Sequence, residues 1–246
     1  MGNRIIIWGF LILGLSLSRQ LVAQDSTNYK SRPNVFKLNL SSRALYSDSY
    51  IFSYERVLKP YEALSVSAGY VTFPLFTALG SIKASSTSQS GFMAGADYRF
   101  YLKRENKNPA PHGVFIGPYV SYYGFNNDRI ITSDLTGVTT QGNLHSDISF
   151  TSVGFQIGYQ FVLNNRWAFD FIFMGPSVTN YNLNFKLNGN FNLDEQSQIV
   201  QEIISKFPLL NQILDAKEVS LNGRTNTWKA GYRYTIHVGY KFGRKR

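Results

Sequence analysis

The closing segment of the chain, TWKAGYRYTIHVGYKFGRKR, alternates strictly between two kinds of residue from Trp228 to Phe242. Large aromatic and aliphatic side chains occupy one register, and basic residues, glycine, threonine and histidine occupy the other. Period two indicates a β-strand, because successive side chains leave opposite faces. Strands of soluble proteins usually run about 5–6 residues, whereas a tilted strand that crosses a bilayer needs about 9–11. The other segments of the chain decide between a sandwich strand and a membrane-spanning strand.

The chain opens with MGNRIIIWGFLILGLSLSRQLVAQDS, which has the pattern of a secretory signal peptide. Arg4 supplies the positive charge, residues 5–17 form the apolar core, and Val22-Ala23-Gln24 provides a small-residue cleavage site. The alternative is a retained membrane anchor, but the apolar run is shorter than the roughly 20 residues that a spanning helix needs. We expect residues 1–23 to be removed and the mature protein to leave the cytoplasm.

The composition suits a membrane barrel. The sequence has no cysteine, which excludes a lipoprotein anchor, a disulfide scaffold and thiolate chemistry. Aromatic residues make up 15% of the chain and charged residues 16%, while the mean hydropathy is only −0.17. In a barrel the apolar outer face is averaged away by the polar inner face, so hydropathy never peaks. The net charge of +10 is spread along the chain, and we interpret it as favouring phosphate-bearing lipid surfaces rather than nucleic acid.

Eight segments alternate in this way. One of them, GVFIGPYVSYYGF, has apolar residues on both faces, so its register is not assigned. The eight segments are NVFKLNLSSRAL, YIFSYERVL, ALSVSAGYV, GFMAGADYRFYL, GVFIGPYVSYYGF, TSVGFQIGYQFV, RWAFDFIFMG and the closing segment.

The connections between the segments are alternately short and long. KPYE, KRENKNPAPH and LNNR are compact and rich in Pro, Asn and charge, whereas residues 74–90, 125–148 and 182–225 form longer connections. The first connection, around YSDS, is a short exception. An even strand count with short turns on one side and long loops on the other is typical of outer-membrane barrels.

A soluble antiparallel sandwich explains any single segment equally well. It does not explain the whole set, because the polar registers suit a narrow lumen and the apolar registers are too aromatic for a thin soluble core. The sequence predicts an all-β fold, an eight-stranded antiparallel transmembrane β-barrel over residues 34–242, which includes a helix-containing outer loop at 182–225. Residues 24–33 form an N-terminal periplasmic segment and 243–246 a basic tail.

The signal peptide, the eight strands and the terminal YTIHVGYKF resemble the small OmpA/OmpX-like outer-membrane β-barrel proteins of Gram-negative bacteria. The resemblance covers essentially the whole mature chain. It implies an outer-membrane location, both mature termini in the periplasm, and the barrel-assembly machinery as a partner during biogenesis. Tyr240 and Phe242 resemble the C-terminal aromatic signal that this machinery recognises, although the GRKR extension departs from the family pattern. The family hosts adhesins, structural proteins, small channels and a few enzymes, so the fold alone does not give the function.

The inward register carries most of the charge. Eight strands enclose an interior just wide enough for side chains, and buried charges are costly unless they are paired. The sequence therefore predicts a polar network in the lumen with Asp97 and Asp170 as its acidic nodes, and a sealed plug is favoured over a narrow pore with slight anion preference. The predicted lumen residues are Lys37, Arg43, Glu55, Asp97, Arg99, Asp170, Lys229, Arg233, His237 and Lys241.

The sequence gives little support for catalysis. LHSDIS places His145, Ser146 and Asp147 together in an outer loop, but adjacent residues of an extended chain point in different directions and form no relay. His112 lies in a predicted turn and His237 in the lumen, so the three histidines lack metal-ligand spacing. We predict no enzyme, no cofactor and no metal site.

The last outer loop contains an amphipathic stretch at helical spacing. Asn192 or Asp194 is positioned to cap a helix, and Pro208 to end it. Flanking NFKLNGNF and EVSLNG alternate, so the seventh and eighth strands are expected to extend as a hairpin. The apolar face of the helix is formed by Ile199, Val200, Ile203, Ile204 and Phe207.

Such a helix usually packs on its own protein, and we expect this one to cover the barrel mouth. Insertion at the outer-leaflet interface or docking of an extracellular or envelope protein are the alternatives. The sequence thus predicts a monomeric, non-enzymatic barrel, surrounded by outer-membrane lipid, that acts structurally or through its outer loops. A small diffusion channel with an electropositive lumen is the alternative function.

Overall fold

The computed structural model describes residues 32–45, 48–72, 78–79, 82–106, 108–133, 140–191, 196–197, 199 and 222–243. The predicted signal peptide, most of the N-terminal segment, most of the last outer loop and residues 244–246 lie outside the described residues. The described elements are β1 (Asn34–Asn39), helix α1 (Leu40–Leu45), β2 (Tyr50–Lys59), β3 (Glu62–Tyr70), β4 (Ala78–Leu79), β5 (Ile82–Tyr101), β6 (Gly113–Ser133), β7 (Thr140–Leu163), β8 (Trp167–Met174), β9 (Pro176–Gly189), β10 (Asn222–Tyr232) and β11 (Thr235–Phe242).

Eight of these strands close into a ring by antiparallel pairing. The order around the ring is β1-β2-β3-β5-β6-β7-β8-β11, and β11 pairs back to β1, with Asn34 opposite Phe242 and Lys37 opposite Gly239. Closure removes the unpaired strand edges that an open sheet would present. The predicted all-β fold with eight strands closing on themselves is confirmed.

One end of the ring holds the short turns. The β7–β8 turn contains Asn164 and Asn165 with φ values of 50° and 54°, a left-handed conformation that asparagine tolerates better than most residues. The backbone N–H of Lys241 donates to the carbonyl oxygen of Arg166 at 2.6 Å, so the end of β11 lies beside this turn. We call this the turn end of the ring.

At the opposite end, β5, β6 and β7 continue past the ring and are joined by β9 and β10. Together they form a five-stranded sheet in the order β10-β9-β7-β6-β5, which we call the extension. Residues 182–189 and 222–225 are strands that pair as a hairpin, as the alternation of NFKLNGNF and EVSLNG predicted. Residues 82–90, 125–133 and 140–148 are also strands, although the sequence predicted outer loops there. Their outward register carries Ser, Asn and Asp, a composition that favours loops, and their pairing in a sheet overrides it.

The inner face of the extension buries apolar side chains together with Asn127, Arg129 and Ser146. The ring of Phe191 lies over this face, because a Cβ on Gly142 would come within 2.4 Å of it. Ile199 is helical and fully buried, whereas Val200, Ile203, Ile204 and Phe207 lie outside the described residues, so the amphipathic helix remains a prediction. The buried apolar strand residues of this face are Phe125, Ile131, Leu144, Ile148, Leu183, Phe185 and Leu187.

The outer surface of the ring is apolar and aromatic. Tyr50, Tyr70 and Phe92 stand opposite one another on three strands near the extension, and Trp167 packs edge-on against Tyr240 at the turn end, with ring centroids 5.6 Å apart. None of the helices in the described part of the chain is long and apolar enough to cross a membrane. Exposed apolar side chains between these rows include Phe36, Phe52, Val66, Val120, Val153, Phe155, Phe173 and Ile236.

Candidate functional site

Charged side chains meet inside the ring because each occupies the inward register of its strand. Lys37 of β1, Glu55 of β2, Asp97 and Arg99 of β5, and Asp170 of β8 are all at most 5% exposed. Their neighbours along each strand point to the outer surface, as the period of two requires. The ring therefore collects charges that are far apart in sequence into one buried cluster.

Arg99 is the centre of this cluster. Its Nε donates to Asp97 Oδ1 at 2.5 Å, and its Nη1 donates to Asp170 Oδ2 at 2.7 Å. The same Nη1 lies 3.1 Å from Gln160 Oε1 and 3.3 Å from Glu55 Oε2. Charge-assisted hydrogen bonds of this kind are the strongest in proteins, and here they connect β5 to β2, β7 and β8.

Lys37 makes a second set of ion pairs with the same carboxylates. Its Nζ lies 2.7 Å from Glu55 Oε2 and 2.7 Å from Asp170 Oδ2. Glu55 and Asp170 are therefore each shared between Lys37 and Arg99, which offsets the cost of burying them. Tyr101 adds a neutral member, since its hydroxyl lies 2.8 Å from Glu55 Oε1.

Two inward aromatic rings support the guanidinium groups. Arg99 Cζ lies 4.3 Å from the ring centroid of Phe115, and Arg233 Cζ lies 3.9 Å from that of Tyr119, within range for cation–π attraction. A Cβ on Gly158 would lie 2.4 Å from Phe115 Cζ, so glycine leaves room for that ring. The fifth predicted strand is apolar on both faces because its inward aromatics pack on buried cations.

The cluster continues toward the extension through neutral and charged groups. Gln156 Nε2 donates to Asp97 Oδ1 at 2.8 Å, and Arg233 Nη2 donates to Gln156 Oε1. Arg233 Nη2 also lies 3.9 Å from Asp97 Oδ2, and His237 Nδ1 lies 3.8 Å from Asp170 Oδ2. The sequence analysis did not single out Gln156, although it lies in the polar register of TSVGFQIGYQFV.

The structure brings seven of the predicted lumen residues together: Lys37, Glu55, Asp97, Arg99, Asp170, Arg233 and His237. Three others lie elsewhere. Arg43 is exposed in α1, because β1 ends at Asn39, whose Oδ1 accepts a hydrogen bond from the N–H of Ser42. Lys229 lies on β10, outside the ring. Lys241 lies at the turn end, where its Nζ donates to Asn165 Oδ1 at 3.1 Å.

Apart from His237, the six remaining residues of the cluster are three cations and three carboxylates, so they balance in charge. Lys37, Arg99 and Arg233 supply positive charges that face the carboxylates of the cluster. The three acidic partners are Glu55, Asp97 and Asp170. The formal charges of these cations and carboxylates therefore cancel, and their fields largely neutralise one another at short range.

A second polar cluster lies on the outer face of the extension. His145 Nδ1 is 2.5 Å from Asp128 Oδ1, and His145 Nε2 is 3.1 Å from Asp147 Oδ2. From the sequence we expected no contact between His145 and Asp147, but these residues are two apart on one strand and share a face. Ser146 is buried on the opposite face, so the three residues do not form a nucleophile–base–acid relay.

The pairing of His145 makes a pH-dependent prediction. The hydrogen bond to Asp128 raises the pKa of His145 above its ordinary value, and the charge of Asp147 adds to this, while Lys186 stands opposite His145 on β9. Because the folded-state pKa is raised, the pairing stabilises the extension below the unfolded-state pKa and is lost as the pH rises through the folded-state pKa. We expect an NMR titration of the ring C–H resonances in micelles to give His145 a pKa above about 6.5.

Asp128→Asn should lower the pKa of His145 in the same titration. His112, in the β5–β6 connection, is the internal control, because burial lowers its pKa. A pKa for His145 at or below that of His112 would contradict the observed pairing.

Among the described residues, no group of three or more His, Cys, Asp or Glu side chains is arranged to hold a metal ion. The charged cluster consists of ion pairs and hydrogen bonds between side chains. These ion pairs and hydrogen bonds join strands across the interior of the ring.

A protein-family model described as "Protein of unknown function (DUF3575)" matches residues 21–197, more than half of the chain. No curated protein matches the chain. The crystal structure of Acinetobacter baumannii CarO is similar with 10% sequence identity and a TM-score of 0.40, over 88% of this chain and 99% of that chain. A likeness at this level does not establish a shared function.

Proposed function

We propose that this chain, which belongs to the family described as "Protein of unknown function (DUF3575)", is a non-enzymatic outer-membrane barrel with a sealed lumen. The observation that carries the proposal is a closed ring of eight strands with an apolar outer surface and paired charges inside. We include in this proposal that the chain resembles the small OmpA/OmpX-like outer-membrane barrels. The extension is the part of the protein that acts outside the cell.

The apolar outer surface supports membrane insertion. Phe155 is 68% exposed and Val153 55% exposed, and a contiguous apolar surface of this kind is rare on soluble monomers. Rows of Tyr, Trp and Phe border it at both ends, where membrane barrels carry aromatic girdles. The outer surface is apolar and the interior is polar, which is the reverse of the arrangement in a soluble protein.

The interior supports a seal rather than a channel. Arg99 and Lys37 reach across to shared carboxylates, in a ring whose strand number leaves room only for side chains. An apolar cluster packs directly against the charged cluster, because Phe115 lies under Arg99 and the Tyr101 hydroxyl lies beside Glu55. The balanced charges of the charged cluster do not favour the electropositive channel. The apolar cluster consists of Val57, Ala63, Tyr101, Ala110, Phe115 and Ile172.

The orientation follows from the ends of the ring. The first and last strands pair at the turn end, Asn34 opposite Phe242, and in outer-membrane barrels short turns face the periplasm. The extension then projects outward from the opposite end. Tyr240 and Phe242 are exposed on the apolar outer surface, where the assembly machinery would meet them.

Conductance of the protein in planar lipid bilayers tests the seal. We expect no steady current from the refolded protein, because the paired charges and the apolar cluster leave no aqueous path. Insertion is verified in parallel by the change in electrophoretic mobility that boiling produces in folded barrels. A steady current whose size changes in Asp170→Asn or Arg233→Ala would show an open pore and overturn the sealed-lumen proposal.

A further inference from the structure

A groove of about 610 Å³ lies on the outer face of the protein, where the strands leave the ring to form the extension. It runs across β5, β6, β7 and β9, and one end is bounded by Arg224 of β10. The groove is separate from the charged cluster, which lies inside the ring. It stands at the level where the apolar surface gives way to polar side chains.

Small residues form the floor of the groove. Strand register places Phe92 opposite Gly124, Gly124 opposite Ser149, and Ser149 opposite Asn182. With neighbouring strands about 4.8 Å apart, the backbones that carry Phe92 and Asn182 are separated by roughly 14 Å. Between them, Gly124 lies under the edges of the Phe92 and Tyr122 rings, which a Cβ at Gly124 would approach to 3.2 Å and 3.1 Å. The open floor is therefore at Ser149, between these rings and Asn182, with room for about one sugar ring.

The two walls of the groove differ in chemistry. The wall toward the ring is aromatic: Phe92 and Tyr122 have ring centroids 5.3 Å apart, and both are exposed members of the apolar surface. The wall away from the ring is polar. There Asn126 Nδ2 donates to Asp147 Oδ1 at 2.7 Å, and Arg224 Nε donates to Asn182 Oδ1 at 2.9 Å.

These walls match a ligand with many hydroxyl groups and an apolar continuation. Exposed aromatic rings pack against the C–H faces of sugars, and amide, carboxylate and guanidinium groups bond to sugar hydroxyls as donors and acceptors. The charged residues of the lining are Asp147 and Arg224, of opposite sign, so the lining has no net formal charge and favours an uncharged headgroup. The aromatic wall continues directly into the apolar surface, which favours a ligand whose acyl chains lie along that surface.

We propose that this groove binds the uncharged sugar headgroup of a glycolipid in the outer leaflet, with the acyl chains against the apolar surface below Phe92 and Tyr122. The inference rests on the proposed function, because the aromatic wall faces lipid only if the ring spans a membrane. A soluble glycan offers the same hydroxyl chemistry, and the experiment separates the two sources.

The test compares the unaltered protein with its variants, each refolded into phosphatidylcholine nanodiscs that contain a minor fraction of diglucosyl diacylglycerol. Native mass spectrometry measures the glycolipid retained per protein, and titration with maltose measures binding of a free disaccharide. We expect the unaltered protein to retain glycolipid in preference to phosphatidylcholine and to bind maltose at least about tenfold more weakly, since the free sugar lacks the acyl contacts. Equal affinity for maltose would overturn the membrane source.

Two variants and a matched control test whether the glycolipid binds in this groove. Ser149→Trp fills the floor and should reduce glycolipid retention by about tenfold or more, a loss of about 1.4 kcal/mol. Asn182→Ala removes a polar wall group and should reduce retention about threefold to tenfold. Asn188→Ala, on the same strand and face but outside the groove, should retain as much as the unaltered protein.

The inference is overturned if the unaltered protein retains no more glycolipid than Ser149→Trp, or if Asn188→Ala loses as much as Asn182→Ala. Heat-modifiable mobility is measured on each nanodisc sample. A protein that inserts but retains no glycolipid defeats this inference alone. A protein that does not insert defeats the proposed function, and this inference with it.

Discussion

Replacing Arg99 with methionine is expected to lower the free energy of unfolding by about 3–5 kcal/mol, the usual cost of removing one partner from a buried ion pair. Methionine has similar length and leaves little cavity, so the loss comes mainly from charge. Asp97 loses its 2.5 Å partner, and Asp170 keeps only Lys37 and the more distant His237. Urea unfolding in lipid vesicles, followed by heat-modifiable mobility, measures the change.

Lys59→Met is the matched control for Arg99→Met. Lys59 Nζ also forms an ion pair, 3.0 Å from Glu62 Oε2, but its side chain is 68% exposed. Exposed pairs contribute little because water screens them, so this variant should unfold at the same urea concentration as the unaltered protein. Equal effects of the two variants would show that the buried cluster does not hold the ring together.

The closed ring could be predicted because alternation is a local property of the sequence. A strand with one lipid-facing and one inward face must repeat every two residues, and Lys37, Glu55, Asp97 and Asp170 lie buried on the register that this pattern assigns to the interior. The same pattern does not report where a strand leaves the ring. Lys229 keeps the alternation of the closing segment, but β10 pairs with β9 outside the ring.

The rest of the site depends on contacts between residues far apart in sequence. Phe115 and Tyr119 lie on the inward register of β6 and pack on Arg99 and Arg233, and nothing near them in sequence records that partnership. The His145–Asp128 contact is likewise made by pairing of β6 with β7. The groove could not be predicted, because its floor and walls come from six strands whose register the sequence leaves open.

The extension also could not be predicted from the residue types of its segments. One face of residues 125–133 and 140–148 carries Asn126, Asp128, Asn143 and Asp147, residue types that predict a loop when the partner strands are unknown. Their other face carries Phe125, Ile131 and Ile148, which the five-stranded sheet buries. Burial of this face stabilises strands that local propensity alone disfavours.

Phe155→Arg is expected to destabilise the barrel in lipid vesicles by about 2 kcal/mol or more, because arginine on the lipid face of a membrane barrel costs about 2–4 kcal/mol near the bilayer midplane. Phe155 lies within residues 151–163 of β7. At about 3.3 Å per residue and a tilt of about 45°, this stretch covers about 28 Å of height, close to the thickness of a hydrocarbon core. Urea unfolding in vesicles measures the effect.

The size of the destabilisation that Phe155→Arg causes shows whether this side chain faces lipid or water. Phe155 is 68% exposed, and in water an exposed phenylalanine can be replaced by arginine with little change in stability, since surface substitutions usually stay within about 0.5 kcal/mol. Asn143→Arg is the control, because Asn143 is exposed on the same strand in the extension. We expect Asn143→Arg to leave the unfolding curve unchanged. If Phe155→Arg also left it unchanged, the apolar surface would face water, and the ring would not span a membrane.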